Sequence, residues 1–177
     1  MYNPVLFLDI DGVLNSEEHT SRYTLAEWCK LSYLEKYIDS EAVELINYIC
    51  DKTNSQVVIS STWRYGNSVE QLQEMLDKRG GTFKVIDKTP EHSIRYRGSE
   101  VDTWISKNRS RDKNGSYFNF TNYAILDDDI GDMLIKQKDN IFEIDRWTGI
   151  TKEDADKIIE FLNKEIIWNE ANYQWKL

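Results

Sequence analysis

Cysteine, histidine and proline each occur only twice in the 177 residues of this sequence. The cysteines, Cys29 and Cys50, form neither a CxxC pair nor a disulfide framework, which favours a reducing compartment. His19 and His92 lack the spacing of metal ligands, which argues against a zinc site. Eight glycines and two prolines leave no linker, repeat or low-complexity tract. The length suits one buried core, so we expect a single domain over residues 1–177.

Long apolar runs are also absent. No segment approaches the roughly 18 consecutive apolar residues that a membrane span needs. The opening stretch, MYNPVLFLDID, lacks the basic region and the small-residue cleavage site of a secretory signal. We therefore expect a cytoplasmic protein with no membrane partner, and the sequence makes no prediction of oligomeric state.

Positive charge is scarce, with 22 Lys and Arg against 31 Asp and Glu and a net charge of −9. This balance argues against a broad nucleic-acid-binding surface, which needs cations to neutralise phosphates. One local strip, residues 95–113, carries six basic residues against three acids. It either guides a phosphodiester chain or is a solvated helix and loop. The sequence has no GxxxxGK[ST] motif, so it carries no P-loop kinase.

Apolar runs of strand length alternate with segments of helical periodicity. Several runs are continuous, as in parallel strands covered on both faces. The strands are predicted at 5–8, 56–60, 82–86, 123–126 and, more weakly, 140–144, and the helices at 39–50, 68–79, 99–108 and 151–167. Capping boxes open the helices at Ser68 and Thr151. The alternation predicts a doubly wound, Rossmann-like α/β fold: a five-stranded, mainly parallel sheet with helices on both faces.

Two segments interrupt this alternation. Residues 15–38 are rich in aromatic side chains and lie between the first strand and its helix. Residues 106–121 are predicted as a polar loop that ends in YFNF. Both should lie above the carboxyl edge of the sheet, where open α/β sheets bind their ligands.

Acidic and hydroxyl side chains follow three of the predicted strands. Asp9 and Asp11 end LFLDIDG, Ser60 to Arg64 end VVISSTWR, and Asp127, Asp128 and Asp129 end YAILDDD. Each stretch alone fits a turn or a solvated loop. Together they would place up to five carboxylates around one point, where they repel one another unless a cation is present. Because Mg²⁺ binds through carboxylates, waters and phosphate oxygens, the combination predicts a magnesium site.

On these motifs the sequence resembles the haloacid dehalogenase-like (HAD) superfamily of phosphotransferases. LFLDIDG resembles the first HAD motif, VVIS with Ser60 the second, and AILDD the fourth, and together they cover residues 5–130. The resemblance implies a phosphatase, with a phosphomutase as the alternative, because dehalogenases and P-type ATPases have a non-acidic residue at the position of Asp11. It also implies that residues 15–38 are a small cap, which leaves the site open to bulky substrates.

The resemblance implies a role for each motif residue. Asp9 would be the nucleophile that becomes an aspartyl-phosphate, and Asp11 the general acid and then the general base. Gly12 would let the chain turn away from the strand. Magnesium would be held by Asp9, by the backbone carbonyl of Asp11 and by Asp127, Asp128 or both. Ser60 and the following backbone N–H, at Ser61, would bind phosphoryl oxygens.

The third HAD motif, a basic residue before the fourth strand, has several candidates here. They are Arg95 and Arg97, with Lys88 as runner-up. We favour Arg97 because the helix that begins there should face the phosphate. Arg64 resembles the arginine at that place in the 3′-phosphatase domains of polynucleotide kinase–phosphatases, which implies a phosphate-binding role. The chain as a whole is similar to HAD domains of RNA-repair proteins.

Three hypotheses of function therefore stand. The first is a magnesium-dependent phosphomonoesterase that acts on a nucleotide or on a nucleic-acid 3′-phosphate end. The second is a phosphatase for a small metabolite, with the same mechanism. The third, a non-catalytic HAD-like binding module, is the weakest, since every acid that the chemistry needs is present. Trp28, Trp63, Tyr65 and the YFNF segment either stack on a base or simply pack.

Overall fold

Five parallel strands form the centre of the structure, a computed structural model that describes residues 3–92, 96–108, 110–111, 117–118 and 122–164. The described residues contain seven strands, five in this sheet and two in a separate pair. In chain order they are β1 (Val5–Leu8), β2 (Gln56–Ile59), β3 (Val85–Lys88), β4 (Ser110–Arg111), β5 (Tyr117–Phe118), β6 (Tyr123–Asp127) and β7 (Ile141–Glu143). The main sheet has the order β3-β2-β1-β6-β7, so β1 lies in the middle. Strands β4 and β5 form a separate antiparallel pair.

Within the described residues, seven α-helices accompany the strands. They are α1 (Glu17–Ser21), α2 (Leu25–Trp28), α3 (Tyr33–Tyr37), α4 (Ser40–Thr53), α5 (Val69–Asp77), α6 (Arg97–Asn108) and α7 (Lys152–Leu162). Both predicted capping boxes are present: Ser68 caps α5 with Gln71, and Thr151 caps α7 with Asp154. These caps satisfy backbone N–H groups that have no partner within the helix.

Helices cover both faces of the main sheet, as the continuous apolar strands predict. Leu6 and Leu8 of β1 point to one face, where they share a core with α4, α5 and α7. Val5 and Phe7 point to the other face and pack with Val101, Trp104 and Ile105 of α6. The ring of Phe7 meets that of Trp104 edge to face, with centroids 5.3 Å apart. The predicted doubly wound α/β fold is confirmed.

Several element boundaries differ from the prediction. β3 begins at Val85 rather than at residue 82. Phe83 is buried in the core and Thr82 donates its backbone N–H to Asn47, so these residues connect α5 to the strand. Helix α4 extends to Thr53, α6 begins at Arg97, and α7 ends at Leu162, while residues 165–167 lie outside the described part of the chain.

The two interrupting segments have different outcomes. Residues 15–38 form the three short helices α1 to α3. The prediction of a loop over 106–121 is wrong in part, since α6 continues to Asn108 and β4 pairs with β5. Residues 109, 112–116 and 119–121 lie outside the described residues. In the described part of the chain, no helix is long and apolar enough to cross a membrane.

Candidate active site

The register of the sheet brings three predicted residues to one edge. Leu8 of β1 lies beside Ile59 of β2 and beside Leu126 of β6. The residues that come next in the three strands, Asp9, Ser60 and Asp127, therefore lie side by side. The backbone N–H of Asp9 donates to the Leu126 carbonyl at 3.0 Å, and that of Ser60 donates to the Leu8 carbonyl at 3.0 Å. The ladder of the sheet thus continues into the site and fixes these positions.

Three carboxylates meet at this edge. Asp9, Asp127 and Asp128 each offer an oxygen, and these oxygens lie within 4.8 Å of one another. Asp9 and Asp127 are buried. Carboxylate oxygens are the hard ligands through which Mg²⁺ binds, together with waters and phosphate oxygens, and a cation offsets the repulsion between the acids. The donor set therefore fits the predicted magnesium ion.

Arg97 supplies a protein cation at the same point. Its Nη1 donates to the Oδ2 atoms of both Asp9 and Asp127. The backbone N–H of Arg97, at the start of α6, donates to Asp132 Oδ2 at 2.8 Å, which fastens the helix start beside the acids. Of the three candidates for the third basic motif, Arg97 is the one seen to contact the carboxylates. Arg95 lies outside the described residues.

The carboxylates perturb one another. Burial, and then the charge of Asp9, raise the pKa of Asp127 to about 7. The same two causes raise the pKa of Asp128 above its ordinary value. Although burial opposes it, the charges of Asp9 and Asp127 hold the pKa of Arg97 above its ordinary value. Two buried acids thus lie beside one fixed cation, a site with an excess of negative charge.

Asp11 stands apart from this cluster and is exposed. Its carboxylate accepts from Trp63 Nε1 at 3.1 and 3.2 Å, from Asn15 Nδ2 at 2.9 Å and from Thr62 Oγ1 at 3.5 Å. These donors come from the chain after β1 and from the loop after β2. They fix the orientation of a side chain that stays open to solvent.

Gly12 allows the chain to turn directly after Asp9 and Asp11. Its φ is +73°, and an added Cβ would lie 2.2 Å from Asp128 Oδ2. Its backbone N–H donates to Asn15 Oδ1 at 2.8 Å. Glycine is therefore needed both for the conformation and for the close approach of Asp128.

The two serines after β2 have different environments. Ser60 is fully buried, and its Oγ has no hydrogen-bond partner in the described structure. A buried hydroxyl without a partner costs free energy, so a ligand oxygen at this position would be stabilising. Ser61 Oγ instead accepts from the Trp63 N–H at 3.3 Å and caps the short 3₁₀ turn Thr62–Arg64. The hydroxyl of Ser61 is thus engaged within the loop.

Arg64 and Lys88 are both committed to the protein. Arg64 is 1% exposed, and its guanidinium donates to the carbonyls of Ser60 and Ser61 and to Glu100 of α6. Lys88 Nζ donates to the carbonyls of Arg64 and Asn67 at 2.9 and 2.7 Å. Both side chains therefore hold the loop after β2 in place. A direct phosphate contact by Arg64 stays a prediction.

Some residues of the site were not predicted from the sequence. Glu100 pairs with Arg64, Asp132 fastens the start of α6, Asn15 binds Asp11, and Arg146 Nε lies 3.9 Å from Asp128 Oδ2. Asp132 belongs to the same acidic run as Asp127, so its proximity could have been inferred. Asn15 lies only four residues from Asp11, so that contact is local. The pairs of Glu100 with Arg64 and of Arg146 with Asp128 join segments that only the fold brings together. The remaining basic side chains of the strip at 95–113 lie mostly outside the described residues.

The parallel sheet with acids at the carboxyl ends of β1 and β6 defines a HAD-like α/β domain. The family described as "HAD domain in Swiss Army Knife RNA repair proteins" matches residues 5–155, and this chain belongs to it. HAD domains generally use Mg²⁺, and membership indicates an activity of the phosphatase or hydrolase class. No curated protein and no solved structure matches the chain significantly.

Proposed function

We propose that the chain is a magnesium-dependent phosphomonoesterase that acts on a nucleotide or a nucleic-acid 3′-phosphate end through an aspartyl-phosphate. The observation that carries the proposal is the contact of Arg97 with Asp9 and Asp127 beside the unpartnered hydroxyl of Ser60. This arrangement offers a nucleophile, a cation and a donor at one strand edge. Phosphoryl transfer depends mostly on such positioning and charge stabilisation.

In this mechanism a carboxylate oxygen of Asp9 forms a bond to phosphorus as the bond to the ester oxygen breaks. Asp11 gives its proton to the departing alkoxide. Asp11 then takes a proton from a water molecule, whose oxygen attacks phosphorus and breaks the bond to Asp9. Inorganic phosphate leaves, and both carboxyl groups return to their starting states.

The other residues bind and orient the phosphoryl group. Ser60 would donate its hydroxyl to a phosphoryl oxygen, together with the backbone N–H at Ser61, and Arg97 would offset the negative charge. Asp9, Asp127 and Asp128 would hold Mg²⁺, with the Asp11 carbonyl as a further predicted ligand. When bound, the ion stabilises the charge that develops on the phosphoryl oxygens.

The decisive measurement is phosphate release with Mg²⁺ from 3′-phosphorylated oligonucleotides, mononucleotides and sugar phosphates. We expect turnover of nucleotide substrates, and loss of all turnover in Asp9→Asn with an unchanged circular dichroism spectrum. Turnover retained in Asp9→Asn would overturn the covalent mechanism. A preference for sugar phosphates would overturn the nucleotide assignment and leave the mechanism standing.

A further inference from the structure

A groove that is open to solvent lies beside the loop after β2. Its walls come from α3 of the insertion, from that loop and from α5. The lining residues are Tyr33, Thr62, Trp63, Tyr65, Asn67 and Met75.

The groove is joined directly to the proposed general acid. Thr62 and Trp63 line it, and both donate to the carboxylate of Asp11, with Trp63 Nε1 at 3.1 and 3.2 Å. In the proposed reaction Asp11 faces the ester oxygen that leaves. The part of the substrate beyond that oxygen would therefore extend along the wall that Trp63 forms.

The walls of the groove are uncharged, and three of the six lining residues are aromatic. Tyr33 is 64% exposed, and its ring meets that of Trp63 with centroids 5.9 Å apart and an angle of 41°. Tyr65 is held from behind by Arg64, whose guanidinium carbon lies 4.5 Å from the ring centroid. Rings that are open on one side and supported on the other form a stacking surface for a planar group.

Charge narrows the class of the occupant. Among the described residues no cation lines the groove, its neighbour Asp11 is an acid, and the chain carries a net charge of −9. An anionic group seated in the groove itself, such as a further phosphate, would have no partner there. A neutral planar group one sugar away from the phosphate matches the walls, and a nucleobase has this chemistry.

We propose that this groove binds the nucleobase of the leaving nucleoside, stacked against Tyr33 and Trp63, and so selects nucleotides over base-free phosphate esters. The proposal rests on the proposed function and specifies the substrate class of the same site. A mononucleotide and the 3′ end of an oligonucleotide share this base. Both are therefore tested.

Tyr33 is the residue to change, because Trp63 also holds Asp11. We expect Tyr33→Ala to lower kcat/KM about tenfold for a nucleoside 3′-monophosphate or a 3′-phosphorylated oligonucleotide, since loss of base stacking has about this effect. The base-free ester glycerol 2-phosphate should be turned over at the wild-type rate. Leu25→Ala is the control in the same insertion; Leu25 is 79% exposed and does not line the groove.

The outcomes are distinguishable. A tenfold loss on either nucleotide substrate alone supports base binding and identifies the source. The proposal would be overturned if kcat/KM fell equally for glycerol 2-phosphate, or if it fell for neither nucleotide substrate. Should the wild-type protein release no phosphate from any ester, the proposed function fails. Whether the groove binds a base is then tested with a phosphate-free nucleoside, whose binding to the wild type and to Tyr33→Ala is followed by tryptophan fluorescence. Binding that is weaker in Tyr33→Ala supports the proposal, and absence of binding overturns it.

Discussion

Arg97 Nη1 donates to Asp9 Oδ2 across 88 residues of sequence. The same nitrogen also donates to Asp127. One cation thus joins the ends of the two central strands, β1 and β6, through their terminal carboxylates. Because both acids are buried, the arginine offsets charge that water cannot reach.

Replacing Arg97 should therefore destabilise the fold. We expect Arg97→Met to lower the free energy of unfolding by about 3–5 kcal/mol in the presence of EDTA, because two buried carboxylates lose their partner. Added Mg²⁺ should restore part of the loss. Lys107→Met, on an exposed part of α6, is the control and should change stability by less than about 0.5 kcal/mol. Equal effects in urea denaturation would contradict the role given to Arg97.

Magnesium should bind at Asp9, Asp127 and Asp128. We expect Asp128→Asn to weaken Mg²⁺ binding about tenfold or more by calorimetry, since a ligand loses its charge. Asp129→Asn is the matched control because Asp129 lies next in the chain, is exposed, and accepts from Gly131 through an oxygen that asparagine retains. EDTA should abolish turnover in all of these proteins. Turnover that persists in EDTA would count against the metal site.

Gly12 and Gly66 separate backbone strain from contact with the site. Both have a positive φ, +73° and +75°, but an added Cβ meets Asp128 only at Gly12 and nothing within 4 Å at Gly66. Gly66→Ala should cost about 1–2 kcal/mol through its left-handed conformation alone. Gly12→Ala should cost more and also weaken Mg²⁺ binding, because Asp128 must move. If calorimetry gives the same Mg²⁺ affinity for both variants, the close approach at Gly12 has no functional consequence.

His19 should make stability depend on pH. This buried side chain lies with Nδ1 3.2 Å from Asp39 Oδ2 and Nε2 3.0 Å from the Glu35 carbonyl. The contact with Asp39 raises the pKa of His19 above 6.5. Burial opposes the change, but the contact with His19 and the hydrogen bond from the Glu41 N–H lower the pKa of Asp39 below its ordinary value of 3.8.

The stability from the raised histidine is fully present below pH 6.5 and is lost as pH rises through its folded pKa. That from the lowered Asp39 is present above pH 3.8 and is lost as pH falls. His19→Phe should therefore cost most between these values, about 1.5–3 kcal/mol at pH 6 for a hydrogen bond between charged groups, and less at pH 9. Denaturation curves at both pH values test this, with His92→Phe as the control. A cost that does not change with pH would exclude a charged pair.

The fold and the acids of the site could be predicted because local patterns encode them. Leu6 and Leu8 alternate with Val5 and Phe7 in a strand that is buried on both faces. The continuous apolar run predicts such a strand. Asp9, Ser60 and Asp127 each follow such a run directly, so parallel pairing alone brings them to one edge.

The partners of these residues could not be predicted in the same way. Glu100 meets Arg64 because α6 packs against the loop after β2, and nothing near either residue in the sequence indicates the pairing. The family resemblance implies a phosphate-binding role for Arg64, and it gives no indication that the buried guanidinium also donates to the carbonyls of Ser60 and Ser61 and to Glu100. Packing between helices and loops decides where long side chains point.

The central place of β1 in the sheet has a consequence for synthesis of the protein. A ribosome makes Asp9 before the strands on either side of it, β2 and β6, which end 51 and 119 residues after Leu8, at Ile59 and Asp127. The nascent chain therefore carries this aspartate before the arginine and the acids that surround it in the folded protein. Truncated products that stop before Asp127 would contain Asp9 without the other residues of the proposed site.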